Sequence, residues 1–178
     1  MNELDLVEHY TCIRQKTESI CLPLKAEDYV VQPIVDVSPP KWHLGHSTWF
    51  FETFVLKQYQ PGYEEFNSQY NYVFNSYYET IGARVIRTDR GNLSRPLVEE
   101  VYLYRKYVDE AMRSFLTSAN VTDAIAEVVI LGLNHEQQHQ ELLVSDIKYI
   151  LGHNPLFPAY NNPGMVNENE SRSGEFLK

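Results

Sequence analysis

A long segment with the apolar spacing of a helix, from a cap offered by Asn120 with Asp123 to about Leu151, constrains the fold more than any other part of this chain. Gly152 and Pro155 follow it, and such residues commonly end a helix. Inside the segment, His135 and His139 are four residues apart, which puts both imidazoles on the same helical face, one turn from each other. The segment therefore predicts a long helix that presents a pair of histidines.

Three more helices are predicted upstream of this segment. The first covers about Leu4 to Ile20, where charged residues separate the apolar ones. The second runs from about Pro39 to Tyr59, and the third begins near Pro96. Strand-like alternation is scarce, so we predict an all-α four-helix bundle with a long irregular connection, Gln60 to Gly91, between the second and third helices.

Composition limits the domain count, the partners and the compartment. We expect one domain over residues 1–160, followed by a flexible tail or truncated linker over 161–178. The net charge is −9 and no Lys/Arg-rich run is present, so no nucleic-acid partner is expected. No apolar run approaches a membrane span, and the N-terminus lacks a signal peptide, which predicts a cytoplasmic protein without a membrane partner. Cys12 and Cys21, about 13 Å apart along a helix, are expected to be reduced thiols.

The histidine pair interrupts a stripe that is otherwise partly apolar and is expected to face inward. Two imidazoles are costly to bury without partners, so each ring is either a satisfied core histidine or a metal ligand, and the one-turn pair favours the metal. His46 on the second helix is the candidate third ligand, whereas its neighbour His43 is expected near the surface or at the helix end. The stripe consists of Val128, Leu131, His135, His139, Leu142 and Asp146.

A zinc-protease interpretation competes for the same residues, because His135, Glu136 and His139 match the pattern H-E-x-x-H. The residues that follow, Gln140 to Ser145, supply neither the glycine nor the third histidine of a metzincin. A gluzincin would need a downstream glutamate on another helix, and little chain remains after Leu151. A protease is therefore not the preferred interpretation.

Two motifs carry a resemblance to a known family. The motifs are Pro40-Lys41-Trp42-His43-Leu44-Gly45-His46-Ser47-Thr48-Trp49-Phe50-Phe51-Glu52-Thr53 and Leu133-Asn134-His135-Glu136-Gln137-Gln138-His139-Gln140-Glu141-Leu142. They resemble the N-terminal domain of ergothioneine-biosynthesis sulfoxide synthases, which belongs to the DinB-like four-helix superfamily, and the likeness covers roughly Leu4 to Tyr160. Supporting segments are Asn75-Ser76-Tyr77-Tyr78-Glu79, Arg90-Gly91-Asn92-Leu93-Ser94-Arg95-Pro96 and Asn154-Pro155-Leu156-Phe157-Pro158-Ala159-Tyr160.

The resemblance implies a non-heme iron(II) site on His46, His135 and His139. It also implies an oxygen-dependent reaction that joins a thiol sulfur to an imidazole carbon of trimethylhistidine. Gln138 matches a position near trimethylhistidine, and Arg87 and Arg90 match a region that holds the carboxylates of a cysteine-type thiol. A tautomer-fixing acceptor for a ligand is expected from Glu136, Glu141 or Asp146.

Family enzymes continue into a second domain resembling formylglycine-generating enzymes, which contributes the catalytic tyrosine, so no residue of this chain is assigned a catalytic role. Two other classes remain open. Other DinB-like proteins resemble metal-dependent hydrolases or thiol transferases with zinc or nickel, and these would need no second domain. A non-catalytic interaction module, with a structural or vestigial metal site, is the third possibility.

Overall fold

The computed structural model describes residues 3–76, 82–118 and 121–160, and every regular element in these ranges is helical. The predicted all-α class is therefore confirmed. No helix within the described ranges has the length and apolarity that crossing a membrane requires. The expected tail, 161–178, lies outside the described residues. Four long helices dominate: α1 (Glu3–Cys21), α2 (Pro40–Phe51), α3 (Val98–Leu116) and α4 (Asp123–Gly152).

The helix ends follow local sequence signals. Pro40 occupies the first position of α2, where its missing N–H costs no hydrogen bond. Thr122 caps α4 by accepting a hydrogen bond from the backbone N–H of Ile125. Helix α3 begins at Val98, two residues after the expected Pro96, because Leu97 is extended and donates its N–H to the side chain of Glu100.

Helix α2 continues without a break into a π-helical segment, Glu52–Leu56, and a final α-helical turn, Lys57–Tyr59. The π-helical segment holds Glu52 in the interior, 3% exposed. There its carboxylate accepts hydrogen bonds from the hydroxyls of Tyr104 (2.6 Å) and Tyr63 (2.8 Å). Glu52 thereby ties α2 to α3 and to the start of the α2–α3 connection.

The connection between α2 and α3 is only partly irregular. It contains a short helix, Tyr70–Phe74, and a 3₁₀ turn, Arg87–Asn92. Two buried indoles of α2 hold the short helix: the Nε1–H groups of Trp42 and Trp49 donate to the carbonyl oxygen of Val73 (3.3 Å) and to Oδ1 of Asn71 (2.8 Å). The connection therefore packs along α2 and lies beside the histidines of that helix.

Helices α3 and α4 each pack against both α1 and α2 around a largely aromatic core. The close approach of α2 to the short helix and to α4 depends on a glycine at each contact. A side chain at Gly45 would overlap with the ring of Phe74, and a Cβ at Gly132 would lie 2.7 Å from the rings of Phe50 and Phe51. Glycine at these positions lets the short helix and α4 lie directly against α2.

A buried ionic network joins α1, α3 and α4. Glu136 of α4 is fully buried, and its carboxylate accepts hydrogen bonds from Arg14 (2.8 Å), Arg105 (3.1 Å) and Thr17 (2.7 Å). Burial raises the pKa of Glu136, but attraction by the two guanidinium groups outweighs burial and holds the pKa below its usual value. Arg14 also donates to Asp109 (2.7 Å) of α3, so the charges are paired where water is excluded.

Candidate metal centre

The three histidines that the sequence singles out lie together. His46 on α2 and His135 and His139 on α4 each offer one ring nitrogen, and these nitrogens lie within 4.8 Å of one another. Metal–imidazole bonds are about 2.0–2.1 Å long, so shifts of about 1 Å would bring all three nitrogens into tetrahedral positions on one ion. The described residues can therefore hold a single metal ion with three imidazoles.

His46 is fully buried and held in a single orientation. Its ring lies between the indoles of Trp42 and Trp49, with ring centroids 4.5 and 5.5 Å away and interplanar angles of 16°. Its Nδ1 lies 2.7 Å from the carbonyl oxygen of Phe74, at the end of the short helix where carbonyls lack helical partners. A carbonyl only accepts, so Nδ1 carries the proton and Nε2 keeps the lone pair that a metal needs.

His135 and His139 lie at the border between the buried and exposed sides of α4. The expected inward stripe is partly wrong, because Leu131 and Leu142 are 59% and 46% exposed. The buried face of α4 is rotated around the helix axis relative to the expected stripe, and Leu133 and Glu136 lie on it. The histidine pair is consequently reached from the surface rather than sealed in the core.

His43 is buried, at 2% exposure, which corrects the expectation that it lies near the surface. Its Nδ1 lies 2.9 Å from Nδ1 of His139, and its Nε2 lies 3.0 Å from Oδ2 of Asp146. The cause is the length of α4, which continues over the start of α2 and covers the ring. The seven-residue spacing of His139 and Asp146, two helical turns, was the sequence signal for this contact.

The candidate substrate residues lie in two separate depressions that each contact the histidine cluster. Gln138 is exposed and lines an open depression of about 460 Å³ together with His135. Arg87 and Arg90 line a smaller cavity of about 180 Å³ together with His139. The structure thus brings both sets near the metal ligands, on different sides.

Arg90 and Arg87 differ in how much of each guanidinium remains for a ligand. Arg90 is 8% exposed, and its Cζ lies 3.4 Å from the centroid of the Trp42 ring. Its Nη1 donates a hydrogen bond to the hydroxyl of Ser38, while its buried Nε has no hydrogen-bond partner among the described residues. Burial, together with repulsion from Arg87 and Arg84, lowers the pKa of Arg90 to about 9. Arg87 is exposed and donates to the carbonyl oxygens of Val35 and Asp36, so it anchors the chain before α2.

Glu136 cannot act as the general base of a zinc protease in this arrangement. Its two carboxylate oxygens are engaged by Arg14, Arg105 and Thr17 in the core. Its charge acts on the cluster by attraction alone, which raises the pKa of the neighbouring His135 against the larger, lowering effect of burial. Of the three acceptors expected to orient a ligand, Asp146 accepts a hydrogen bond from His43, which in turn contacts the proposed ligand His139. The literal H-E-x-x-H match therefore does not bring the chemistry of a metalloprotease.

A larger cavity of about 660 Å³ lies between α1 and α3, on the side of the buried ionic network. Arg14 and Asp109 line it, and each is bonded within the protein interior. At the nearby surface, Nζ of Lys106 lies 3.9 Å from Oε1 of Glu110, and both side chains are well exposed. No histidine of the cluster lines this groove.

Burial keeps the clustered imidazoles neutral. Burial is the largest cause that lowers the pKa of His43, His46, His135 and His139, and repulsion among the neighbouring rings adds to it for His46 and His139. The pKa of His135 falls to about 4. Neutral imidazole is the form that binds a metal, so the cluster is ready to coordinate at neutral pH.

Acidification is expected to destabilise the metal-free protein steeply. Histidine in the unfolded chain titrates near pH 6.5, above the folded value of about 4 for His135, so protons bind the unfolded state first as the pH falls. Stability is fully present above about pH 6.5 and is lost toward pH 4, with a slope approaching about 1.4 kcal/mol per pH unit for each such group. Urea denaturation between about pH 7 and pH 5 measures this slope, which His139→Gln should reduce. A slope that is the same in His139→Gln and wild type would contradict the expectation.

The chain matches no protein-family model. No curated protein matches its sequence significantly. The geometry of the histidine cluster and its two depressions must therefore carry the functional argument.

Proposed function

We propose that this chain is a DinB-like four-helix domain that binds one iron(II) ion through His46, His135 and His139. In this proposal it forms the metal-binding half of an oxygen-dependent enzyme that joins a thiol to trimethylhistidine. The observation that carries the proposal is the convergence of three neutral imidazoles from α2 and α4, with the tautomer of His46 set by Phe74. The motif resemblance supports the choice of reaction.

The reaction balances as thiol plus imidazole plus dioxygen giving sulfoxide plus water. The S–H and C–H bonds break, a C–S bond forms, one oxygen atom goes to sulfur, and the other leaves as water with both protons. Iron(II) with three neutral ligands would supply open positions and an undiminished positive charge for an anionic thiolate and dioxygen. The chain's own contribution is to hold the ligands and to bind the two substrates beside them.

The two depressions suit the two substrates. The cavity beside His139 carries the buried guanidinium of Arg90, whose charge favours a carboxylate of the thiol donor. Gln138 offers an amide beside His135, in the more open depression, where trimethylhistidine would lie. Arg87 would act mainly by holding the wall of the first cavity, because its Nε and Nη2 already donate to backbone carbonyls.

A second candidate is a DinB-like metal-dependent hydrolase or thiol transferase. Three imidazoles that leave one position open are also the ligand set of catalytic zinc sites, and nickel binds imidazole as well. In that case the metal would act as a Lewis acid and the chain would need no second domain.

Thiol binding to the cobalt-loaded chain tests the proposal. Cysteine should add a thiolate-to-cobalt charge-transfer band under anaerobic conditions. Arg90→Met should weaken cysteine binding by about 10-fold or more, because a charge-assisted hydrogen bond contributes about 1.5–3 kcal/mol. Arg95→Met, at an exposed arginine of the same connection, is the matched control and should leave the affinity unchanged. A chain that binds cobalt but shows no spectral response to cysteine would reject the thiol half of the proposal.

A further inference from the structure

His43 lies against the metal cluster without belonging to the ligand set. It is 2% exposed, its Nδ1 lies 2.9 Å from Nδ1 of His139, and its Nε2 lies 3.0 Å from Oδ2 of Asp146. The three side chains therefore form a chain of hydrogen bonds from a carboxylate to a proposed ligand. Neither His43 nor Asp146 is needed as a ligand for the three-imidazole site.

The direction of these hydrogen bonds follows from the carboxylate. A carboxylate only accepts, so the proton between His43 and Asp146 belongs to Nε2 of His43. A neutral His43 then has its lone pair on Nδ1, where the Nδ1–H of His139 is the donor that meets it among the described residues. His139 is left with the lone pair on Nε2.

The carboxylate end of this chain is fixed by further contacts. The same Oδ2 atom of Asp146 accepts the backbone N–H of Ser38 (2.9 Å), just before α2 begins. The hydroxyl of Ser38 accepts from Arg90, so the carboxylate lies in a held segment. The ring of His43 meets the ring of His139 edge-on, with centroids 5.1 Å apart. Rotation of His43 would break hydrogen bonds at both of its nitrogens.

The geometry points to His43 and Asp146 as positioning residues that hold His139 in the Nδ1–H tautomer and leave Nε2 for the metal. This inference deepens the proposed function and rests on its metal site. It gives His139 the same protonation pattern as His46, whose Nδ1–H donates to Phe74. Two ligands would then be fixed by two different acceptors, a backbone carbonyl and a histidine–carboxylate pair.

Histidine tautomers in the metal-free chain give the first test. Long-range ¹H–¹⁵N correlation spectra of ¹⁵N-histidine protein should show the proton on Nδ1 of His139 and on Nε2 of His43. Asp146→Ala, which removes the acceptor, should give a mixture of tautomers at both rings. A wild-type His139 protonated at Nε2 would overturn the inference without any reference to metal binding.

Cobalt affinity gives the second test, measured by competition with a chelator. His43→Phe keeps the ring and removes both nitrogens, so it should weaken cobalt binding by about 10–100-fold. His43→Asn offers an amide oxygen to the Nδ1–H of His139 and should recover most of the lost cobalt affinity. If His43 served only to fill space, His43→Asn would bind cobalt no more tightly than His43→Phe. His153→Phe, at an exposed histidine, is the matched control.

These experiments distinguish a failure of the proposed metal site from a failure of the positioning role of His43. No cobalt binding by the folded wild type would overturn the proposed metal site. Cobalt binding that is unchanged in a folded His43→Phe would overturn only the positioning role. If His43→Phe does not fold, as judged by circular dichroism, Asp146→Ala and the wild-type tautomers decide the question.

Discussion

Replacing Glu136 with alanine is expected to lower the free energy of unfolding by about 3–5 kcal/mol, because it leaves two buried guanidinium groups without their shared partner. Arg14 and Arg105 are 2% and 0% exposed, so water cannot replace the lost carboxylate. The Thr17 hydroxyl loses its shorter hydrogen bond as well and keeps the longer one to the carbonyl oxygen of Ile13. The whole stability of a domain this size is about 5–15 kcal/mol, so the variant would be close to unfolding.

Urea denaturation of the metal-free protein near neutral pH measures this effect. Glu127→Ala is the matched control, since Glu127 is exposed on the same helix and its loss should change stability by about 0.5 kcal/mol or less. The loss of stability in Glu136→Gln should lie between the losses in Glu136→Ala and Glu127→Ala. The glutamine amide oxygen can still accept a hydrogen bond, but the negative charge is gone. A loss below about 1 kcal/mol in Glu136→Ala would mean that the network contributes little to stability.

Replacing His46 with alanine is expected to abolish tight metal binding, with a loss of at least about 100-fold in affinity. His46 is the only proposed ligand from α2, so the variant keeps just the one-turn pair on α4. It is also the ligand whose orientation is most restricted, between two indoles and a backbone carbonyl. Two histidines on one helix face would still bind metal weakly.

Calorimetric titration with the metal, and melting with and without it, measure the effect. A ligand present at 100 times its Kd stabilises the folded state by about 2.7 kcal/mol, so the wild type should melt at a higher temperature with metal and His46→Ala should not. His46→Gln preserves more of the volume and separates lost packing from lost coordination. His153→Ala is the control, because that histidine is exposed and its ring stacks on Tyr149 at the end of α4. Equal affinities of His46→Ala and wild type would remove His46 from the site.

The sequence predicts local structure well in this chain. Apolar periodicity, Pro40 at the start of α2 and the end of α4 at Gly152 define the long helices to within about two residues. The pairing of His135 with His139 needs only helix geometry. His46 could be singled out from the sequence because it lies one helical turn into an aromatic segment. Its position beside His135 and His139 depends on the packing of α2 against α4.

The features that sequence reasoning missed depend on contacts between distant segments. His43 looked exposed because its neighbours are Lys41 and Trp42, yet Asp146, more than a hundred residues away, covers it. The partners of Glu136 come from α1 and α3, and no local pattern near Glu136 indicates them. Periodicity also placed the inward stripe of α4 too far to one side, because it could not tell which face α1 and α2 would cover.

The most direct test of the central claim is X-ray absorption on protein loaded with iron(II) under anaerobic conditions, together with metal and protein quantification. We expect one iron per chain and a first shell with three imidazole nitrogens, because His46, His135 and His139 are the clustered ligands in the described residues. Full occupancy by zinc or nickel in place of iron, with the same three imidazoles, would keep the site and favour the hydrolase or transferase. Folded protein that takes up no metal under any loading condition, or a first shell without imidazole, would contradict the claim.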